Sequence, residues 1–178
     1  MLRNSSERYG LVTKTLHWLL AMLILSLIGI GYYMVGLTYF DRWYNAALAW
    51  HKALGITVLA LAVVFVGWKA SSIAPAYPAS LSAWQRSAAT GMHHLLILLM
   101  LVIPISGYVV STSAGKVVGI FNWFEIPALL PVSDALRDIA IRVHFWAAYG
   151  VGVLAAGHAA AALKHHFIDR DDILKRML

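Results

Sequence analysis

Two histidines lie fourteen residues apart in the last apolar segment of the chain, His144 and His158. In an α-helix, fourteen steps of about 100° and 1.5 Å return the side chain to within about 40° of its first direction, roughly 21 Å further along the axis. Both imidazoles therefore face one side of the same helix at two levels. Because imidazole is the commonest metal ligand and also carries protons, the spacing predicts chemistry at both levels.

Four apolar segments must position these side chains, and each is long enough to cross a hydrocarbon core of about 30 Å. They cover residues 16–37, 46–68, 93–110 and 143–163. The chain is 61% hydrophobic with a mean hydropathy of +0.73. This composition is typical of an integral membrane protein and excludes an ordinary water-soluble globule. The sequence therefore predicts an all-α fold, a four-helix membrane bundle forming a single domain over residues 1–178.

The net charge of +6 reflects basic residues scattered between the apolar runs, a distribution that argues against a nucleic-acid partner. Nine of the fourteen Lys and Arg residues lie in the amino-terminal segment, the link between the second and third spans, and the carboxyl-terminal tail. The other five lie on the opposite side. By the positive-inside rule, both termini are predicted to be cytoplasmic.

With this topology the histidines form two pairs of equal depth. His17 shares the inner level with His158, and His51 shares the outer level with His144. A bis-imidazole haem in a bundle requires one histidine from each of two facing helices at the same depth. The chain has no cysteine, so covalent c-type attachment is excluded. The pattern predicts two haems b stacked across the membrane, with His17 and His158 on the inner iron and His51 and His144 on the outer iron.

Two other interpretations of these histidines remain open. Each could be an interfacial or packing residue of a four-helix scaffold without redox chemistry. Zinc or copper is disfavoured, because the pairs lie some 20 Å apart and each would be an incomplete two-ligand site. Gly31 and Gly107 lie fourteen residues after His17 and His93, which predicts glycine-lined haem slots or ordinary close packing of helices.

His93 and His94 begin the third span at the inner level. Either could compete with His17 as the partner of His158, bond a quinone carbonyl or relay protons, or simply cap the helix. At the outer level, Lys52 and Arg142 directly flank predicted ligands. They are predicted to neutralise haem propionates or to steer a small anion. The aromatic link over residues 111–133 is predicted to lie along the outer membrane face as a lid.

Four segments carry a resemblance that spans nearly the whole chain: RYGLVTKTLHW, WHKALGI, MHHLLILLMLVIPISG and VHFWAAYGVGVLAAGHAAAALKHHF. They resemble the prokaryotic cytochrome b561 family, which includes superoxide oxidases and is related to the cytochrome b subunits of formate dehydrogenase and nickel–iron hydrogenase. The resemblance implies the same four haem ligands. It matches His93 to the family's third-helix histidine and leaves His94 without a counterpart.

The resemblance also implies a function in the bacterial inner membrane. Electrons would pass between the outer face and the membrane quinone pool, with ubiquinone or menaquinone near the inner haem. Superoxide could be the donor, oxidised to dioxygen as quinone is reduced, which would make the protein a superoxide:quinone oxidoreductase. Alternatively, the chain is an electron-transfer subunit or partner of a periplasmic dehydrogenase or redox protein, without superoxide chemistry.

Overall fold

Four long helices dominate the computed structural model, which describes residues 1–78, 80–121 and 123–178. The helices are α1 Leu11–Val35, α2 Tyr44–Ala70, α3 Ala83–Thr112 and α4 Asp134–Lys164. Each is long and apolar enough to cross a membrane, so the prediction of four spanning helices is confirmed. A helix pairs most of its backbone N–H and C=O groups within itself, as the interior of a bilayer requires.

The helices run longer than the apolar segments because polar caps outside those segments determine where two of them begin. Ser82 starts α3 with a capping box in which its backbone N–H donates to the Gln85 side chain at 2.9 Å. Ser133 starts α4 by accepting a hydrogen bond from the Leu136 backbone N–H at 3.2 Å. The histidines of these two helices therefore lie within regular helix. The helical backbone sets the direction in which the Cα–Cβ bond of each histidine points.

The bundle is built around α2 and α3. Helix α2 packs between α1 and α3, α3 packs against α4, and α1 and α4 make only slight contact. A small core joins Leu20 of α1, Val58 and Ala62 of α2, and Met100 of α3. Many large apolar side chains point outward instead, as expected for helices whose outer faces meet lipid.

A two-stranded antiparallel hairpin lies in the link between α3 and α4 and adds a feature that an all-α prediction lacks. Strand β1 covers Val118–Ile120 and pairs with β2, Phe124–Ile126. Val118 and Ile120 are buried against Ala53 of α2, while Gly119 between them is exposed. This alternation is the period of a half-buried strand, and it anchors the link to the end of the bundle.

Both termini lie at the other end, which we call the inner end, together with the link between α2 and α3. The Asn4 side-chain amide donates to the Ile73 carbonyl at 2.9 Å, and the Arg176 guanidinium donates to the Ala76 carbonyl at 2.6 Å. The Trp18 indole N–H donates to the Met177 carbonyl at 2.8 Å. These bonds connect the amino-terminal segment, the link and the tail.

Candidate functional site

The outer pair consists of His51 on α2 and His144 on α4. Their ring centroids lie 6.1 Å apart and their planes are inclined by 72°. Both side chains are partly buried between helices. The two helices that carry them hardly touch along the bundle, so the imidazoles face each other across the space between α2 and α4.

The inner pair consists of His17 on α1 and His158 on α4. Their ring centroids lie 6.3 Å apart and their planes are inclined by 62°. His17 also touches Trp18, with ring centroids 5.3 Å apart. Helix α4 therefore contributes one histidine to each pair, as the spacing of fourteen residues requires, and α1 and α2 each contribute the partner.

The distance between the rings of each pair suits one metal ion bound between them. Metal–imidazole bonds of about 2.0 to 2.1 Å on opposite sides of an iron would place the ring centroids about 6.3 Å apart. The observed 6.1 and 6.3 Å match this value. Two neutral imidazoles are also the donor set of b-type haems, so the residues fit the predicted group.

Two glycines lie against the outer pair and leave the rings room that a side chain would take. A methyl group on Gly31 would lie 3.2 Å from Cε1 of His51, and one on Gly107 would lie 2.9 Å from Cε1 of His144. Both glycines thus belong to the outer level. The helix backbone at these two glycines comes close to the imidazoles, and this is the feature that corresponds to the predicted glycine-lined slots.

A hydrogen-bond network supports His144 but not His51. The Nδ1 atom of His144 lies 2.8 Å from the carbonyl oxygen of Ile103 and 3.2 Å from the hydroxyl of Ser106, both on α3. The Nδ1 atom of His51 is buried without a hydrogen-bond partner among the described residues. Sequence reasoning missed Ser106. The available signal was a serine within an apolar span, where an unpaired hydroxyl is costly.

The structure separates His93 from His94. The His93 ring is partly buried and its centroid lies 5.3 Å from that of His158, whereas His94 is exposed. Consecutive residues on a helix point about 100° apart, so only one of them can face the bundle interior. The distance of 5.3 Å is shorter than an iron between two imidazoles requires, which leaves His93 beside the inner pair as a third imidazole.

The basic residues at the outer end divide into paired and unpaired groups. Arg137 forms ion pairs with Asp134 and Asp138 at 2.9 and 3.0 Å. Within the part of the chain that the structure describes, Lys52 and Arg142 take part in none of the ion pairs. Lys52 is partly buried and follows His51 in the chain, and Arg142 is exposed in the outer half of α4.

Known proteins match this chain along nearly its whole length. A family model described as prokaryotic cytochrome b561 matches residues 8–178. A protein named cytochrome b561 homolog 2 from Escherichia coli strain K12 is 44% identical over 98% of this chain and 93% of its own length. Cytochrome b561 homolog 1 from the same organism is 35% identical over 60% of this chain and 58% of its own length.

Proposed function

This chain belongs to the prokaryotic cytochrome b561 family of membrane electron-transfer proteins, and from that premise we propose that it carries electrons through two b-type haems stacked across the membrane. The family implies haem b. The observation that supports two haems is the presence of two histidine pairs with ring centroids 6.1 and 6.3 Å apart. His51 and His144 would hold the outer haem, and His17 and His158 the inner one.

A b-type haem held by two of these histidines would supply reversible one-electron transfer and would have no vacant position for a further ligand. The chain's own residues then determine which partners can approach. The chain is a multi-pass membrane protein with four apolar helices, and we place it in the bacterial inner membrane. The excess of Lys and Arg at the inner end supports cytoplasmic termini.

At the inner end, we propose that a quinone from the membrane pool, ubiquinone or menaquinone, binds beside His93. The His93 ring contacts His158, a proposed inner ligand, with centroids 5.3 Å apart. Quinone reduction consumes two electrons and two protons. An imidazole in this position can donate a hydrogen bond to a quinone carbonyl and pass a proton to it. His94 is exposed and faces away, so we assign it no direct role.

At the outer end, we propose superoxide as the electron donor. Two superoxide anions would each lose one electron to give two molecules of dioxygen, and one quinone would take up both electrons and two protons from the inner side to give quinol. Lys52 and Arg142 take part in no ion pair among the described residues. Their charge is available to attract an anion or to neutralise haem propionates.

A second candidate donor is a periplasmic dehydrogenase or redox protein, and the hairpin favours this alternative. Trp123 follows β1 and is 81% exposed, and Phe124 of β2 is also exposed. Phe121 links this surface to Trp50, the neighbour of His51, with ring centroids 5.3 Å apart. Exposed aromatic side chains at the end of a bundle can dock a protein surface.

The decisive experiment combines haem analysis with rapid kinetics on the purified protein. We expect two haems per chain by pyridine haemochrome assay and one haem in the His144→Ala variant. Stopped-flow mixing with superoxide should reduce the haems, and added quinone should reoxidise them. The rate should fall steeply with ionic strength if Lys52 and Arg142 attract the anion. A colourless protein, or a His144→Ala variant that keeps both haems, would contradict the proposal.

A further inference from the structure

The hydroxyl group of Ser106 lies in the interior of the bundle, on a helix that supplies no proposed haem ligand. The residue is 6% exposed. Its Oγ lies 2.8 Å from the carbonyl oxygen of Ile103 and 3.2 Å from Nδ1 of His144. The same Nδ1 lies 2.8 Å from the Ile103 carbonyl. The three polar groups thus form a closed triangle between α3 and α4.

The chemistry of the three groups fixes the position of each hydrogen. A carbonyl oxygen only accepts, so both the Ser106 hydroxyl and the Nδ1–H of His144 donate to Ile103. The serine oxygen then presents a lone pair to the same Nδ1–H as a second acceptor. Because Nδ1 carries the proton, Nε2 of His144 is left unprotonated and free to bind a metal ion.

The other ligand proposed for the outer haem lacks this support. The Nδ1 atom of His51 is buried with no hydrogen-bond partner among the described residues. The two imidazoles of the outer pair are therefore chemically different. One is a hydrogen-bonded donor held by α3, and the other has no such bond.

We propose that Ser106 is a positioning residue for the outer haem, which orients the His144 ring and lowers the reduction potential of that haem. This inference rests on the haem ligation proposed above. A hydrogen bond from Nδ1–H makes the imidazole a stronger electron donor to a metal at Nε2, and a stronger donor stabilises ferric over ferrous iron. A lower potential at the outer haem favours onward transfer of an electron to the inner haem.

The test is a redox titration of the purified, haem-loaded protein, monitored by the absorbance of both haems. Ser106→Ala removes the hydroxyl, and Ser106→Thr keeps it. The matched control is Ser26→Ala in α1, because Ser26 also donates to a carbonyl of its own helix, Met22 at 2.9 Å, but is exposed. The His51→Ala variant, expected to retain only the inner haem, assigns the two potentials.

In Ser106→Ala we expect the reduction potential of the outer haem to rise. The expected change is two- to tenfold in the one-electron equilibrium constant, which corresponds to about 20 to 60 mV at 59 mV per tenfold. The inner potential should stay unchanged. Ser106→Thr should recover at least half of the shift. If the alanine variant is unstable, Ser106→Cys replaces the hydroxyl with a weaker hydrogen-bonding group of similar size and should shift the potential in the same direction.

Three results for Ser106→Ala would overturn the role of Ser106. The reduction potential of the outer haem could shift no more than it does in Ser26→Ala, the potentials of both haems could shift equally, or the potential of the outer haem could fall. A fall would mean that the hydroxyl weakens the bond between His144 and the Ile103 carbonyl. These results leave the proposed function intact as long as the wild-type protein holds two haems. Loss of the proposed function would instead appear as a missing haem in the wild-type protein.

Discussion

Replacing Gly107 with alanine tests the outer site most directly, because the atoms nearest to the added methyl group all belong to the His144 imidazole. The new Cβ would lie 2.9 Å from Cε1 and 3.1 Å from Nδ1 of His144. Carbon atoms in contact rest about 3.5 to 4.0 Å apart, so the overlap is at least about 0.6 Å. Either helix α3 or the His144 ring must move.

The ring will move more readily than the helix, since it turns about side-chain bonds whereas α3 is held by its backbone. Overpacking of this kind costs about 1–3 kcal/mol. We expect that cost to fall on haem binding, because the displaced ring leaves both its position opposite His51 and its 2.8 Å contact with the Ile103 carbonyl. A loss of about 1–3 kcal/mol corresponds to outer-haem binding weakened by about 5- to 150-fold.

The assay is the haem-to-protein ratio by pyridine haemochrome, measured together with thermal unfolding of the purified protein. The ratio should fall from two toward one in Gly107→Ala, while the helices remain folded. The matched control is Gly91→Ala on the same helix, because no described atom beyond its own stretch of helix lies within 4 Å of the methyl group that it adds. Alanine is also the better helix former by about 1 kcal/mol, so this control should be neutral or stabilising.

If Gly107→Ala leaves the haem-to-protein ratio and the reduction potentials of the haems unchanged, the prediction is refuted. The close approach of α3 to the His144 ring would then have no bearing on haem binding. Equal loss of both haems would also refute it. The contact is specific to the outer level, and a general destabilisation of the bundle is not what the geometry predicts.

The remaining predictions concern three other places in the molecule. Gly31→Ala should weaken the outer haem less than Gly107→Ala does, because its methyl group would lie 3.2 Å from Cε1 of His51; a larger loss of haem would contradict the graded effect. His93→Ala should keep both haems but slow quinone turnover at least tenfold, measured by single-turnover reoxidation; unchanged turnover would count against a quinone beside it. Hydrogen bonds from the Thr38 N–H and hydroxyl hold the pKa of Asp41 below its usual value. The ionised carboxylate therefore stabilises the folded protein above about pH 3.9, and this contribution is lost as the pH falls through the lowered pKa. Asp41→Asn should therefore unfold at a lower temperature than wild type near neutral pH and at a similar temperature in acid, and a difference independent of pH would argue against this.

Local patterns were sufficient to predict the helices and to group the histidines. Hydropathy over about twenty residues reports whether a segment can enter a membrane, and this property does not depend on neighbouring segments. The spacing of His144 and His158 places them on one face of a helix whatever packs against it. The pairing with His51 and His17 followed from depth alone.

The hairpin and the separation of His93 from His94 were not predictable in the same way. Strands as short as Val118–Ile120 give weak local signals, and this one is stabilised by burial against Ala53, which lies far away in the sequence. Two adjacent histidines look alike in a sequence. Only the rotation of α3 within the bundle decides which of them faces His158.

By itself, the sequence determined the number of apolar helices long enough to span a membrane and the two levels of imidazoles, because helix periodicity and transfer into lipid are properties of a single segment. The tertiary structure alone decided that Ser106 and the Ile103 carbonyl hold His144, and that glycine backbone lies against both outer rings. Those contacts join residues about twenty to forty positions apart in the chain. Their formation depends on how closely two helices approach and how each is turned, which packing of the whole bundle sets.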